Sequence, residues 1–207
     1  MDKKDYVLRN LREIIQNPKS ELEFSSDFQL LIAVILSAQC TDKRVNMVTK
    51  ELFSKWGTPE KLASASIADV EAVIKPCGFY HNKSKNIIAC SKDLVEKYNG
   101  LVPDDLEKLQ TLSGVGRKTA NVVLAVAFGV PAMPVDTHVF RVSKRLGLSN
   151  GKDVTEVEKD LMKLFPKKDW AEIHHLILLF GRYYCTARNP KCIDCVFKDI
   201  CTYRGGK

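Results

Sequence analysis

The sequence predicts an all-α fold, and three observations support that prediction. Apolar residues recur three and four positions apart over most of the 207 residues, as they do across residues 154–164. No comparable run alternates with the period of two that a half-buried strand shows. Residues that begin or end helices also stand at the edges of these periodic runs. We therefore expect about ten helices and no sheet.

The elements of the first half follow from composition and capping residues. Apolar positions across residues 7–15 predict a first helix, and residues 28–37 are apolar on every side, so the second helix should be enclosed by others. Thr58 and Pro59 have the residue types of an N-cap and a first helical position. A longer helix from about Lys83 should end at residues 99–100, because Asn and Gly tolerate a left-handed backbone.

The second half continues the pattern. Asp104 should open a short helix that ends near Thr111, and an apolar helix should follow Gly116. Periodic apolar residues then predict helices over residues 154–164 and 170–180. No Gly/Ser linker separates two halves, so a domain boundary must run through a short loop, and residues 129–134 are the best place for it.

Composition restricts the class of protein. Hydrophobic residues make up 45% and charged residues 28%, a globular balance. The longest apolar run, residues 30–36, is far shorter than the roughly 20 residues that cross a bilayer, and the N-terminus has no signal-like apolar stretch. We therefore expect no membrane contact and a cytoplasmic location. The net charge of +7 and the pI of about 9.0 favour a polyanionic partner.

Four of the seven cysteines lie close together near the C-terminus: Cys185, Cys192, Cys195 and Cys201. The spacing C-x6-C-x2-C-x5-C supplies four thiolates from one short segment, enough for a tetrahedral zinc ion or a four-iron cluster, and the spacing alone does not choose between them. An odd total argues against a disulfide framework. Lysine and arginine surround this segment, at positions 182, 188, 191, 198, 204 and 207.

The sharpest local signal is LSGVGRKTANVVL, residues 112–124, between the short helix and the apolar one. Gly114 and Gly116 would let the backbone turn with positive φ and approach a ligand closely, with N–H groups left at the start of the next helix. Such a site attracts phosphate. A plain turn between two helices is the alternative.

Two polar residues could supply chemistry near this turn. Lys118 lies in the first helical turn, where the helix dipole and partial burial should lower its pKa and favour the neutral amine that a Schiff base requires. The alternative is a lysine that reaches solvent. Asp136, in PVDTHV, is an N-cap by residue type, and its carboxylate could also stabilise positive charge that develops on a sugar.

Taken together, these motifs resemble the endonuclease III family of helix–hairpin–helix glycosylases over almost the whole chain. LSGVGRKTANVVL is similar to the family hairpin, VDTHV to the segment with the family aspartate, and the cysteine spacing to the family cluster motif. The resemblance implies a [4Fe–4S] cluster, Lys118 as nucleophile and Asp136 as its acidic partner. LSAQCTD resembles the first DNA-facing loop, which implies that Gln39 inserts into the duplex.

The resemblance also implies DNA contacts by the hairpin residues Gly114, Val115 and Gly116 and by two residues beside the cluster, Arg188 and Lys191. The sequence departs from the family at two positions. Ser113 stands where the hairpin usually has proline, which should leave the turn less preorganised. Phe79 stands where a leucine wedge is common, and an aromatic ring can also enter a base step.

The implied architecture is two interleaved helical domains. One is a six-helix domain with the hairpin, residues 20–130, and the other is an iron–sulfur domain formed by residues 1–19 and 131–207. The implied activity is that of a bifunctional DNA glycosylase and AP lyase that removes oxidised pyrimidines from damaged double-stranded DNA, flips the damaged nucleotide out and cleaves by β-elimination. We expect a monomer that works at the nucleoid, with no redox step by the cluster.

Two other functions remain as alternatives. An adenine-type mismatch glycosylase of the same superfamily shares the cysteines and the aspartate, but it generally lacks the lysine and carries a further C-terminal recognition domain. A non-catalytic iron–sulfur protein that binds DNA or transfers electrons would use the hairpin and the cluster only for positioning or relay. Cleavage of a duplex that contains one thymine glycol distinguishes these functions. The sequence has no motif for the preferred lesion.

Overall fold

The structure is a computed structural model, and it describes residues 2–203. In that range the chain forms α-helices and short 3-10 turns and no strand, which confirms the predicted all-α class. The helices are α1 Lys3–Ile14, α2 Asp27–Ser37, α3 Asp42–Trp56, α4 Pro59–Ala63, α5 Ile67–Ile74, α6 Tyr80–Tyr98, α7 Leu106–Gln110, α8 Arg117–Ala127, α9 Thr137–Arg145, α10 Val154–Leu164 and α11 Trp170–Tyr183. The 3-10 turns are Lys75–Cys77 and Lys167–Asp169. None of the described helices is long and apolar enough to span a bilayer.

The helices pack as two compact units with separate cores. One unit is residues 21–130, and the other joins residues 1–20 to residues 131–207. The buried apolar residues divide in the same way, since one cluster runs from Phe28 to Leu124 and the other combines Val7 and Leu11 with residues between Met133 and Phe197. Each unit therefore buries apolar surface of its own, the main favourable contribution to folding.

Helix α2 is the centre of the first unit. Between Asp27 and Ser37, every residue except Gln29 is apolar, and all eight of these apolar side chains are buried, as the all-round apolar sequence predicts. Ser26 caps this helix by accepting a hydrogen bond from Gln29 N. Helices α3, α6 and α8 pack around α2, while α4 and α5 pack on α6. This arrangement gives α6 and α8 a rigid base on which the loops at their N-termini are presented.

Helix α11 organises the second unit, because α1 and α9 both pack against it. The contact with α9 is close at Gly181, where an added Cβ would lie 3.0 Å from His138 Cβ and 3.0 Å from Val142 Cγ2. Glycine at this position lets the two helices approach until their backbones nearly touch. The approach fixes the start of α9, which carries Asp136.

The capping predictions are confirmed at some ends and shifted at others. Thr58 accepts from Lys61 N and Pro59 opens α4, as predicted, and Asn99 ends α6 with φ of 51°. The short helix α7 is capped by Asp105, which accepts from Lys108 N, so the prediction of Asp104 is wrong by one residue. Helix α6 begins at Tyr80 and not near Lys83, because polar residues at 81 and 82 hid its first turn.

Candidate functional site

The hairpin between α7 and α8 has the predicted position, but its two glycines differ. Gly114 has φ of +78°, and an added Cβ would lie 2.8 Å from Asn86 Cβ, so both conformation and space require glycine. Gly116 has φ of −88°, which corrects the expectation of positive φ at both positions. No atom lies within 4 Å of an added Cβ there, so this glycine leaves an open surface in front of α8. Val115 is buried between them, and its N–H donates to Leu112 O.

A carboxylate on α6 holds this turn. Asp93 Oδ2 accepts from Ser113 N at 3.2 Å and from Ser113 Oγ at 3.0 Å, while Lys97 Nζ donates to Asp93 Oδ1 at 2.6 Å. Burial alone would raise the pKa of Asp93, but the bonds from Lys97 and Ser113 outweigh it and lower the pKa. Proline at position 113 could make neither bond, because it has no N–H and no hydroxyl. The serine therefore compensates for the rigidity that proline would have supplied.

Lys118 is the second residue of α8, as the sequence predicts. Gly116 is the N-cap and offers no side-chain acceptor to the first turn of α8, so the backbone N–H groups there face a surface without a competing carboxylate or hydroxyl at the cap. The partial burial expected for Lys118 is wrong, because its side chain is exposed. An exposed amine can reach a bound molecule, and the dipole of α8 acts on it from the N-terminal end.

Asp136 caps α9. Its Oδ1 atom accepts from His138 N at 2.9 Å and from Val139 N at 2.8 Å, so the structural role predicted for it is present. The residue is half-buried. Two side chains fix the segment around it: His174 donates through Nδ1 to Pro134 O at 2.7 Å, and Arg141 donates to Thr137 O at 3.3 Å. The carboxylate is thereby held at a fixed helix end.

Gln39 and Phe79, the two predicted inserting residues, have an unusual backbone in common. Their φ angles are 53° and 48°, in the left-handed region that side chains other than glycine seldom adopt, and both side chains are exposed. Phe79 is 66% exposed, which is high for a large apolar ring. Strained, exposed positions of this kind are enriched at functional sites.

The four cluster cysteines lie on the segment that follows α11. Each of the four is half-buried. Burial raises the pKa of Cys195, a hydrogen bond with the Phe197 backbone opposes that rise, and the charges of Cys185, Cys201 and Cys192 raise the pKa further. Four thiolates are the usual ligand set of a [4Fe–4S] cluster, and this donor set fits it. No group of three or more His, Cys, Asp and Glu side chains within residues 2–203 is arranged for a single metal ion.

Arginines on α9 bind this segment, which the sequence did not reveal. Arg145 Nη1 donates to Cys185 Sγ at 3.3 Å and to Thr186 O at 2.8 Å, and its guanidinium stacks 3.7 Å from the Tyr203 ring. Arg141 Nε donates to Cys185 O at 3.1 Å. Burial lowers the pKa of Arg141, and the charge of Arg145 lowers it further. The helix that has Asp136 at its start therefore contacts the first cluster cysteine through Arg145 at its end.

The two basic residues between the first two cluster cysteines are exposed. Arg188 and Lys191 lie between the first two cysteines, and Lys191 Nζ lies 5.0 Å from the centre of the Tyr184 ring. Phe197, which is fully buried between Phe180 and Tyr6, anchors the other end of the segment. Arg204 and Lys207 lie outside the described residues.

Comparisons with known proteins agree with these features. Residues 32–167 match the family model of the HhH-GPD superfamily base excision DNA repair protein, and residues 185–201 match the iron–sulfur binding domain of endonuclease III. The second match assigns a [4Fe–4S] cofactor to the cysteine segment and decides against zinc. The predicted cofactor is thus confirmed.

Individual relatives match along nearly their whole length. Endonuclease III of Bacillus subtilis is 50% identical over 95% of this chain and 90% of its own, and that of Haemophilus influenzae is 48% identical over 96% and 94%. A solved structure of a trapped endonuclease III–DNA covalent intermediate superposes with a TM-score of 0.93 and 48% identity, over 98% of this chain and 96% of that one. The chain therefore belongs to the endonuclease III family, the iron–sulfur DNA glycosylases and AP lyases of base excision repair.

Proposed function

We propose that this glycosylase and lyase removes oxidised pyrimidines from double-stranded DNA, with Lys118 as the nucleophile and Asp136 as its acidic partner. One observation carries the proposal. An exposed lysine lies two residues after the open glycine of the hairpin, in the first turn of α8, in a chain 48% identical to an endonuclease III trapped as a covalent DNA intermediate. A primary amine at such a position can reach the sugar of a bound nucleotide.

The hairpin is proposed to bind the DNA backbone. The start of α8 presents N–H groups and the positive end of the helix dipole, and Gly116 leaves room for a phosphate to approach. Gly114 contributes by its turn and Val115 by its buried side chain, so their role in binding is to shape the loop. Arg188 and Lys191 would add charge contacts that are independent of sequence.

Gln39 and Phe79 are proposed to enter the duplex when a damaged nucleotide leaves it. Extrusion of a base costs a few kcal/mol, and least for a damaged pair. An amide can replace the hydrogen bonds of the lost base, while an exposed aromatic ring can fill the gap in the stack. Because both residues already have the left-handed backbone, the protruding loops need not be strained further on binding.

The chemistry then requires three steps. The Lys118 amine attacks C1′ while the base leaves with a proton, and the Asp136 carboxylate stabilises the positive charge on the sugar. The ring opens to a protonated Schiff base on Lys118. Loss of a proton from C2′ then expels the 3′ phosphate by β-elimination. These steps are redox-neutral, so the [4Fe–4S] cluster serves to hold the segment that carries Arg188 and Lys191.

Borohydride trapping tests the nucleophile. The parent protein should form a stable adduct with a duplex that contains thymine glycol, and Lys118→Ala should abolish it because only a primary amine forms the imine. Lys108→Ala is a matched control, since this lysine is also exposed and lies on the other helix of the hairpin. A parent-like adduct in Lys118→Ala, mapped to another lysine, would refute the assignment.

A panel of lesions tests the substrate. Duplexes with thymine glycol, with an abasic site and with adenine opposite 8-oxoguanine should be cleaved in the first two cases only. Release of adenine without strand cleavage would instead support the mismatch glycosylase. We further propose that the enzyme acts as a monomer at the nucleoid, in the cytoplasm, which sedimentation with and without duplex DNA would test.

A further inference from the structure

A buried lysine lies beside the loop of Phe79 and has no part in the chemistry proposed above. Lys83, the fourth residue of α6, is only 5% exposed, and its Nζ atom donates to the Cys77 carbonyl oxygen at 3.0 Å. Within residues 2–203 it has no ion-pair partner. Burial of an unpaired ammonium is costly, and an apolar residue would fill the same space at less cost. Stability alone therefore gives no reason for a lysine at this position.

Lys83 holds the chain on both sides of Phe79. Its side chain binds Cys77, two residues before the ring, and its backbone N–H donates to Phe79 O at 3.0 Å. The two bonds enclose Gly78 and Phe79, whose φ angles are 66° and 48°. A left-handed backbone is unfavourable for phenylalanine and persists only where the surroundings hold it. Without the Lys83 amine, the Cys77 carbonyl would lose this donor and the loop could relax.

We propose that Lys83 is a positioning residue for Phe79: its buried ammonium fixes the Cys77 carbonyl and so holds the exposed ring ready to enter the duplex. This role rests on the proposed insertion of Phe79. A loop that is held before binding loses little further freedom when the duplex opens, whereas a relaxed loop must be ordered at that moment, at the expense of affinity. Lys83 thereby acts on DNA through the ring and not through its own charge.

Binding to a duplex that contains a tetrahydrofuran abasic-site analogue tests the proposal in the iron-loaded protein. The analogue has no aldehyde, so binding is measured without imine formation or strand cleavage. Phe79→Ala should weaken binding about tenfold, which corresponds to about 1.4 kcal/mol. Lys83→Met keeps the length of the side chain but has no N–H donor, and it should weaken binding by a similar factor. The double variant should bind like Phe79→Ala alone, because a lysine that acts through the ring has no effect once the ring is absent.

The matched control is Lys85→Met. Lys85 lies on the same helix and is exposed, so its loss removes the same charge but not the bond to Cys77. Any effect of this variant on binding should be the same with and without Phe79→Ala. Salt dependence supplies a second measurement. Lys83→Met should keep the parent's slope of log affinity against log salt, because no phosphate contact is lost.

Urea unfolding establishes that each variant is folded. If Lys83→Met does not fold, Lys83→Gln takes its place, since the glutamine amide is polar but lies one atom nearer the backbone and should not keep the bond to Cys77. Parent-like binding by the Lys83 variant would overturn the proposal, and so would an equal effect with and without Phe79→Ala or a flattened salt slope. Coupling of the same size between Lys85→Met and Phe79→Ala would also overturn it, because loss of charge would then suffice. Parent-like binding by Phe79→Ala would instead refute the proposed insertion, and with it the role of Lys83.

Discussion

The two hydrogen bonds that Asp136 accepts through Oδ1 make its substitution a test of capping and catalysis together. Asp136→Asn keeps a side-chain acceptor and should cost less than about 1 kcal/mol of stability, whereas Asp136→Ala should cost about 0.5–2 kcal/mol. Both variants lose the negative charge, so base release should slow by about a hundredfold or more. Urea unfolding and single-turnover release from a thymine glycol duplex measure the two effects.

The asparagine variant is the decisive one, because its fold should survive. Parent-like base release in Asp136→Asn would mean that the residue only caps α9. Equal stability losses in the two variants would mean that the cap does not depend on a side-chain oxygen.

At the residue scale, the sequence predicted the cap because Asp before a periodic run is a local signal. It could not predict the exposure of Lys118, which depends on packing around α8.

At the scale of elements, the hairpin depends on one carboxylate. Asp93→Asn should weaken the bonds to Ser113 and Lys97 and cost about 1–2 kcal/mol at pH 7. The pKa of Asp93 is lowered in the folded chain, so its contribution is present above the unfolded value of about 4 and is lost as the pH falls through the lower folded value. The stability difference between parent and variant should therefore shrink below about pH 4.

Urea unfolding from pH 7 downward measures that difference, and Ser113→Ala supplies the comparison. This variant removes the hydroxyl bond but keeps the backbone bond, so it should cost less than Asp93→Asn. A stability difference that does not change with pH would show that the Asp93 charge contributes nothing to the turn. The sequence suggested only that the turn lost rigidity, because Asp93 lies twenty residues before Ser113.

The contact between α9 and α11 depends on glycine at position 181, which has no side chain to separate the two helices. Gly181→Ala should gain helix propensity but push against His138 Cβ and Val142 Cγ2, for a net loss of about 1 kcal/mol. Val142→Ala removes one of the two opposing groups, so the double variant should lose less stability than the sum of the single losses. Strictly additive losses in urea unfolding would show that the helices do not press on each other there.

At the scale of the whole molecule, local patterns predicted more than long-range contacts. Helical periodicity and the C-x6-C-x2-C-x5-C spacing were readable because each lies within a few turns of chain. The bonds from Arg141 to Gly181 and from Arg145 to Cys185 join residues about forty positions apart, and arginine is usually a surface residue. No pattern within the sequence pairs them.

The charge of the whole molecule makes DNA binding sensitive to salt, and the segment beside the cluster should account for part of that sensitivity. Each phosphate contact contributes about 0.9 to the slope of log affinity against log salt. If Arg188 and Lys191 each contact one phosphate, replacing both with alanine should flatten the slope by about two and weaken binding to all sequences alike. Titration of an undamaged duplex at several salt concentrations measures the slope.

The control must remove the same charge elsewhere. Lys159 and Lys163 are exposed on α10, so Lys159→Ala with Lys163→Ala lowers the net charge by the same amount without touching the cluster segment. If the cluster segment binds phosphate, this control should keep nearly the parent slope, because screened charges at a distance release no counterions from the bound site. Equal flattening in both double variants would attribute the effect to net charge. An unchanged iron content in the first variant is required, since loss of the cluster would release the whole segment.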